Sequence, residues 1–293
     1  GEFIVGPGNG IQIEHGEHAG RLIFPVYWYR NNNCSFFIYS DDHGATWQRG
    51  GICGKGTGEV QIVELVDGSL LSTMRPSGVT AGYRYFSKST DGGATWGPLG
   101  TGVTVSGMTR FDATTAYPVA DTTCQGSIFR LATTTGSDKN RLVHANTDNT
   151  TTTRINMTVR ISYDEGLSWP QSRLVNGPAT GKSGYSALAR LATGDIGLLY
   201  EKGDASSPFA SIAFVRITIP EGTNGTDAQP AYNLWATSAF TYEELMNPLI
   251  SGPSADPDND GLTNHQEFLA RPSVSIATTD AQGRHLVLRT KKR

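Results

Sequence analysis

The sequence predicts an all-β protein built as a propeller of four-stranded blades. Three observations carry that prediction. The chain of 293 residues contains 35 glycines and only 37% hydrophobic residues, with Thr, Ser and Asn abundant, which is the composition of many short strands joined by tight turns. An eight-residue pattern, S-x-D-x-G-x-[T/S]-W, occurs three times, as "SDDHGATW" (40–47), "STDGGATW" (89–96) and "SYDEGLSW" (162–169). Two hairpin-like runs share a third signature: a polar residue, a strand, a Gly-containing turn, a strand and a charged residue.

The chain starts with "GEFIVGPGNG". This opening has no initiator Met, no basic n-region and no signal-like apolar stretch, so it reads as the interior of a longer product. The end, "HLVLRTKKR", reads the same way. Each copy of the eight-residue pattern follows a β-rich stretch, "CSFFIY", "YRYFSK" or "MTVRI". Each copy is expected to form a hairpin turn. The Asp side chain bonds backbone N–H groups in the loop, and the Gly takes a backbone angle denied to other residues. The Trp is expected to cover the turn and pack between neighbouring units. The aspartates are 49 and 73 residues apart (42 to 91, 91 to 164). That spacing is too irregular for a solenoid but suits blades with loops of variable length.

The hairpin runs are "EVQIVELVDGSLLSTMR", from Glu59 to Arg75, and "YSALARLATGDIGLLYE", from Tyr185 to Glu201. Antiparallel pairing brings the two ends of each hairpin together, so each presents two polar groups at one rim. Taken singly, such residues are a packed aromatic, a solvated carboxylate and surface arginines. Their recurrence in two matching hairpins makes them candidates for one site.

Charge and apolar patterning narrow the function. The 24 basic and 27 acidic residues leave a net charge of −3, which argues against a nucleic-acid or polyanion binder. No apolar run approaches the roughly 20 residues that span a bilayer. The three cysteines, Cys34, Cys53 and Cys124, have no metal spacing, and their odd number indicates no disulfide framework, although Cys34 and Cys53 remain a candidate pair.

With these elements in place, the sequence resembles the bacterial exo-sialidases (neuraminidases), whose repeats are called Asp boxes. The resemblance runs from about Gly6 to Phe214. It rests on "GPGNGIQIEHG…GRLIFPVYW", "EVQIVELVDGSLLSTMR", "CQGSIFR", "RINMTVRISYDEGLSWP" and "YSALARLATGDIGLLYE" in the family's order. It implies a six-bladed β-propeller of the sialidase type with about four blades present, spanning 1–250. It also implies a retaining exo-α-sialidase that acts on sialylated glycans, needs no cofactor for catalysis and is secreted, periplasmic or on the cell surface.

Sialic acid carries a carboxylate on its anomeric carbon. Planar, bidentate arginines grip such a group best. A carboxylate nucleophile would repel it, whereas a neutral tyrosine relieved of its proton by a base would not. Sialidases are the recognised tyrosine exception among retaining glycosidases. By resemblance, Tyr185 matches the family's nucleophile and Glu59 its general base. Arg75 and Arg154 match two arginines of the carboxylate-binding triad, with Arg160 a competitor on the same strand face as Arg154. Glu201 matches the glutamate that braces the triad's first arginine. The family's N-terminal arginine and acid/base aspartate have no counterpart here. The nearest aspartates, Asp41 and Asp42, belong to the first Asp box.

The tail segment "DPDNDGLTNHQE" (256–267) fits D-x-D-x-D-G-x5-E. Asp256, Asp258, Asp260 and Glu267 are expected to ligate a structural Ca²⁺, with Gly261 permitting the sharp turn. This places a calcium-loop-like linker at 251–271 and the start of a further β segment at 272–293. Two rival functions stand beside the hydrolase: a non-catalytic Asp-box propeller that binds glycans, and an intramolecular trans-sialidase, which would use the same residues.

Overall fold

The repeated strand–turn pattern builds four antiparallel sheets, arranged as the blades of a propeller, in the first of the chain's two compact units, Gly1–Ile217. The structure is a computed structural model and describes residues 2–29, 33–79, 81–132, 140–177, 181–204, 207, 209–218 and 255–257. Of the second unit, Thr218–Arg293, only Thr218 and 255–257 are described. The expected linker and further β segment therefore lie almost wholly outside the described residues, as do Asp258, Asp260 and Glu267. Among the described residues no helix is long and apolar enough to cross a membrane.

The first blade comprises β1 (Glu2–Val5), β2 (Ile11–Gln12), β3 (Leu22–Tyr29), β4 (Cys34–Ser40) and β5 (Gln48–Lys55), ordered β1-β3-β4-β5 with β2 beside β3. The second comprises β6 (Thr57–Glu64), β7 (Leu70–Pro76), β9 (Tyr85–Ser89), β10 (Val103–Val105) and β11 (Met108–Arg110). A short ladder joins β8 (Gly82–Tyr83) to β12 (Ala120–Asp121). The third is β13 (Ser127–Ala132), β14 (Arg141–Thr147), β15 (Met157–Ser162) and β16 (Gln171–Asn176). The fourth is β17 (Ser183–Arg190), β18 (Ile196–Lys202) and β19 (Ser211–Ile217).

Both sequence-predicted hairpins form. β6 pairs with β7 and β17 with β18, and Gly68 and Gly194 turn the chain at φ of 77° and 86°, angles open to glycine at little cost. The three Asp boxes share one geometry. Asp42, Asp91 and Asp164 each accept the N–H and hydroxyl of a Thr or Ser four residues on. The leading Ser hydroxyl accepts the Gly N–H at 2.8–2.9 Å. In every box the Gly and the residue before it have positive φ, even where that residue is His43 or Glu165.

The boxes follow β4, β9 and β15, the third strand of each blade, and these strands run away from the rim at which β6, β13 and β17 begin. The boxes therefore occupy the rim opposite the starts of those strands. Trp96 stacks on Phe37 of the first blade, with centroids 5.1 Å apart. Trp169 is 2% exposed and stacks on Phe86 of the second. Trp47 packs edge-on against Phe24 of its own blade and stays 43% exposed. Two apolar clusters fill the spaces between blades, one around Ile23, Phe37, Ile62 and Tyr85, the other around Leu71, Phe86, Leu142 and Trp169. Burial of these side chains from water holds blade to blade. The three cysteines are buried and free, so Cys34 and Cys53 do not pair.

Candidate active site

The two hairpins carry the same irregularity at the same end. In the second blade, Thr57 pairs with Pro76 and the next pair is Val60 with Met74, so Gly58 and Glu59 together oppose Arg75. In the fourth, Ser183 pairs with Lys202 and the next pair is Ser186 with Tyr200, so Gly184 and Tyr185 together oppose Glu201. Each is a β-bulge, one extra residue that bends the strand and re-aims a side chain. Glycine precedes the re-aimed residue in both because the space beside it is taken. A Cβ at Gly58 would lie 2.6 Å from Ser77 Oγ, and one at Gly184 would lie 2.1 Å from Glu201 Oε2.

The bulges turn Glu59 and Tyr185 toward each other across 126 residues of sequence, and the Tyr185 hydroxyl donates a hydrogen bond to Glu59 Oε1. Arg75 Nη1 donates to Glu59 Oε2 at 2.8 Å and reaches Tyr185 Oη at 3.4 Å. Tyr185 N–H, released from the ladder by the bulge, donates to Glu201 Oε2 at 2.8 Å. Glu59 is 5% exposed. Burial, then the hydrogen bond to Glu59 and that residue's charge, push the Tyr185 pKa well up, and Arg75 only partly opposes them. The phenol therefore stays protonated at neutral pH, with an acceptor already on its proton. Burial disfavours the charge of Arg75, yet the hydrogen bond and charge of Glu59 outweigh it and raise its pKa.

The Arg154 guanidinium lies 5.6 Å from the Tyr185 ring centroid and makes no ion pair among the described residues. Its backbone carbonyl accepts Ser183 N–H, which ties its loop to β17. Arg160 is 4% exposed and committed elsewhere, to Asn146 Oδ1 at 3.0 Å and Asp148 Oδ2 at 2.6 Å. Strand alternation from Arg160 does not extend to Arg154, because β15 begins at Met157 and Asn156 before it has φ of 61°. Asp41 pairs with Arg21 at 2.7 Å and Asp42 holds the first Asp box, both at the opposite rim.

Sequence reasoning missed three neighbours of this site. Cys124 is buried; burial and then nearby charges, including Arg154, Asp121, Glu59 and Arg75, set its thiol pKa, raised to about 11. Tyr27 of β3 has its pKa raised by burial and then by the charge of Glu59. Gln125, 3% exposed, accepts the N–H of Ser186, the residue after Tyr185, at 2.8 Å. "CQGSIFR" was the one sequence signal for the region, and it marks a segment without singling out the amide.

Comparison with known proteins fits this geometry. The BNR repeat-like domain family matches residues 1–198. A sialidase of Micromonospora viridifaciens is 37% identical over 201 residues, covering 67% of this chain and 28% of its own. An anhydrosialidase of Macrobdella decora is 35% identical over 220 residues, 70% of this chain and 26% of its own. Among solved structures, the intramolecular trans-sialidase of Ruminococcus gnavus, in complex with oseltamivir carboxylate, superposes with a TM-score of 0.58 at 30% identity, over 74% of this chain and 44% of that one. The chain thus spans about a quarter of the length of the two sequence relatives and less than half of the solved structure.

Proposed function

The chain belongs to the sialidase family of BNR-repeat propellers, and on that premise we propose that it carries the nucleophile, base and carboxylate clamp of an exo-α-sialidase acting on sialylated glycans. The observation that supports this best is the hydrogen bond from the Tyr185 hydroxyl to Glu59, with Arg75 held on the same carboxylate. In this reading Tyr185 Oη attacks the anomeric carbon while its proton passes to Glu59 Oε1, and the bond to the leaving oxygen breaks. Water then cleaves the tyrosyl glycoside, giving retention. Arg75 and Arg154 face the substrate carboxylate, a planar anion suited to guanidinium donors. Glu201 holds the backbone of the nucleophile's bulge. Bracing of a further arginine by Glu201 remains part of the proposal.

The test uses an aryl α-sialoside, whose phenolate leaves without protonation. The chain should cleave it with initial retention of configuration, Tyr185→Phe should abolish cleavage, and Glu59→Gln should lower kcat by about 10²–10⁴. Tight glycan binding without turnover would instead establish the binding module. The likeness to an anhydrosialidase and an intramolecular trans-sialidase supports a second reading, in which a hydroxyl of the substrate replaces water in the second step. Its product is lighter by one water, which mass spectrometry distinguishes. We further propose that Asp256, Asp258, Asp260 and Glu267 bind a structural Ca²⁺, and that the protein works outside the cytoplasm, where such loops of weak affinity fill.

A further inference from the structure

The nucleophile's backbone is held from both sides. Tyr185 N–H goes to Glu201 of β18, and Ser186 N–H goes to Gln125 in the segment leading into β13. Ser186 Oγ adds contacts to Ser127 Oγ at 2.9 Å and Ala145 O at 3.2 Å, both in the third blade. Gln125 is itself fixed from beneath. Arg84, fully buried, donates to Cys124 O at 2.6 Å and Gly126 O at 3.3 Å, the carbonyls on either side of Gln125. The same guanidinium pairs with Asp121 at 2.9 Å, both side chains 0% exposed, and bonds Thr73 of β7 at 2.9 Å. Asp121 Oδ1 accepts the N–H groups of Thr123 and Cys124, which holds Thr123 at φ of 62°. A buried pair that misses a partner is strongly destabilising, so this one persists only because every contact is in place. The 121–126 segment is therefore a rigid shelf, and the Gln125 side chain bonds it to the nucleophile's strand.

We propose that Gln125 is a positioning residue for Tyr185: by accepting Ser186 N–H from a shelf built on the Arg84–Asp121 pair, it fixes the bulge that aims the phenol at Glu59. The inference rests on the reading of Tyr185 as nucleophile. A bulge lacks the regular ladder bonds that hold a strand, so its aim depends on such outside acceptors. Displacement of a reacting atom by about 1 Å costs on the order of 10²-fold in rate.

The experiment compares the full chain with Gln125→Met, which keeps the shape and removes the acceptor, and Gln125→Glu, which keeps an acceptor. Residue-resolved amide exchange reads the clamp directly. Ser186 N–H should exchange roughly two- to tenfold faster in the Met variant and stay protected in the Glu variant. Unchanged protection in Gln125→Met overturns the proposal whatever the chemistry of the site. On the aryl sialoside, Gln125→Met should lower kcat about 10- to 100-fold with KM within twofold and the melting temperature lower by only a few degrees, as one lost buried hydrogen bond requires. A loss confined to KM or to melting temperature also overturns it. Failure of the nucleophile reading looks different: Tyr185→Phe would then keep activity while the exchange result stood unaltered.

Discussion

Replacing Gly184 by Ala tests whether close packing at the bulge sets activity. Gly184 has no positive φ, so Ala adds no backbone strain, and its effect comes from the methyl group alone. A Cβ there would sit 2.1 Å from Glu201 Oε2, 3.1 Å from its Cβ and 3.2 Å from its Cδ. A carbon normally keeps about 3.5 Å from a neighbouring heavy atom, so the carboxylate must retreat by about 1 Å or more. From 2.8 Å, that move breaks its bond to Tyr185 N–H. A hydrogen bond to a charged group contributes about 1.5–3 kcal/mol, and because Glu201 is partly exposed the lower end applies, about 1.5 kcal/mol. The kinetic effect should be larger, on the order of 10²-fold in kcat, since the freed bulge no longer aims the phenol. The assay is kcat and KM on an aryl sialoside beside a thermal melt. Gly97→Ala serves as control, because nothing lies within 4 Å of a Cβ at that position. A double-mutant cycle decides the cause. In a Glu201→Ala background the contacts to Oε2 and Cδ are gone and only the 3.1 Å contact to Cβ stays, so Gly184→Ala should cost much less there. An equal cost in both backgrounds would refute the reasoning.

Arg154→Met should raise KM roughly 10- to 100-fold through loss of a carboxylate contact, with melting temperature unchanged. Arg160→Met should destabilise by about 2–3 kcal/mol, because Asp148 loses its counter-charge; the reverse pattern would exchange their roles. Hydrogen bonds hold the Asp42 and Asp112 carboxyls down at about 2, from Thr46 and Ser40 to the first and from Thr114 and Arg110 to the second. Depressed folded-state pKa values stabilise above the unfolded value of about 3.9 and lose that contribution as pH falls toward 2. Melts between pH 5 and 2 should therefore show a shallower acid slope in Asp42→Asn, and an unchanged slope counts against the box as its source. Calcium titrated into the full chain should bind with Kd of about 10⁻⁴–10⁻³ M and fail to bind in Glu267→Ala. Absence of heat at millimolar calcium would remove the metal site.

The sequence by itself determined the strands, the three Asp boxes and both hairpins, since each is written in local chemistry. Alternation sets a strand's faces, and Ser, Asp and Gly at fixed offsets set the turn. The same locality explains why Glu59, Arg75, Tyr185 and Glu201 were legible as rim residues of two matching hairpins. Tertiary structure decided what those residues touch. Alternation cannot announce the extra residue in β6 and in β17, yet those bulges aim Glu59 and Tyr185 at one another across 126 residues. Arg154 kept a competitor six positions on until Asp148 and Asn146 claimed Arg160 and left Arg154 beside the Tyr185 ring. Nothing local singled out Gln125 within "CQGSIFR", because its partner Ser186 comes from another blade. Hydrogen-bond partners and counter-charges depend on which distant segments packing brings within about 3 Å, and a linear pattern holds no record of that distance.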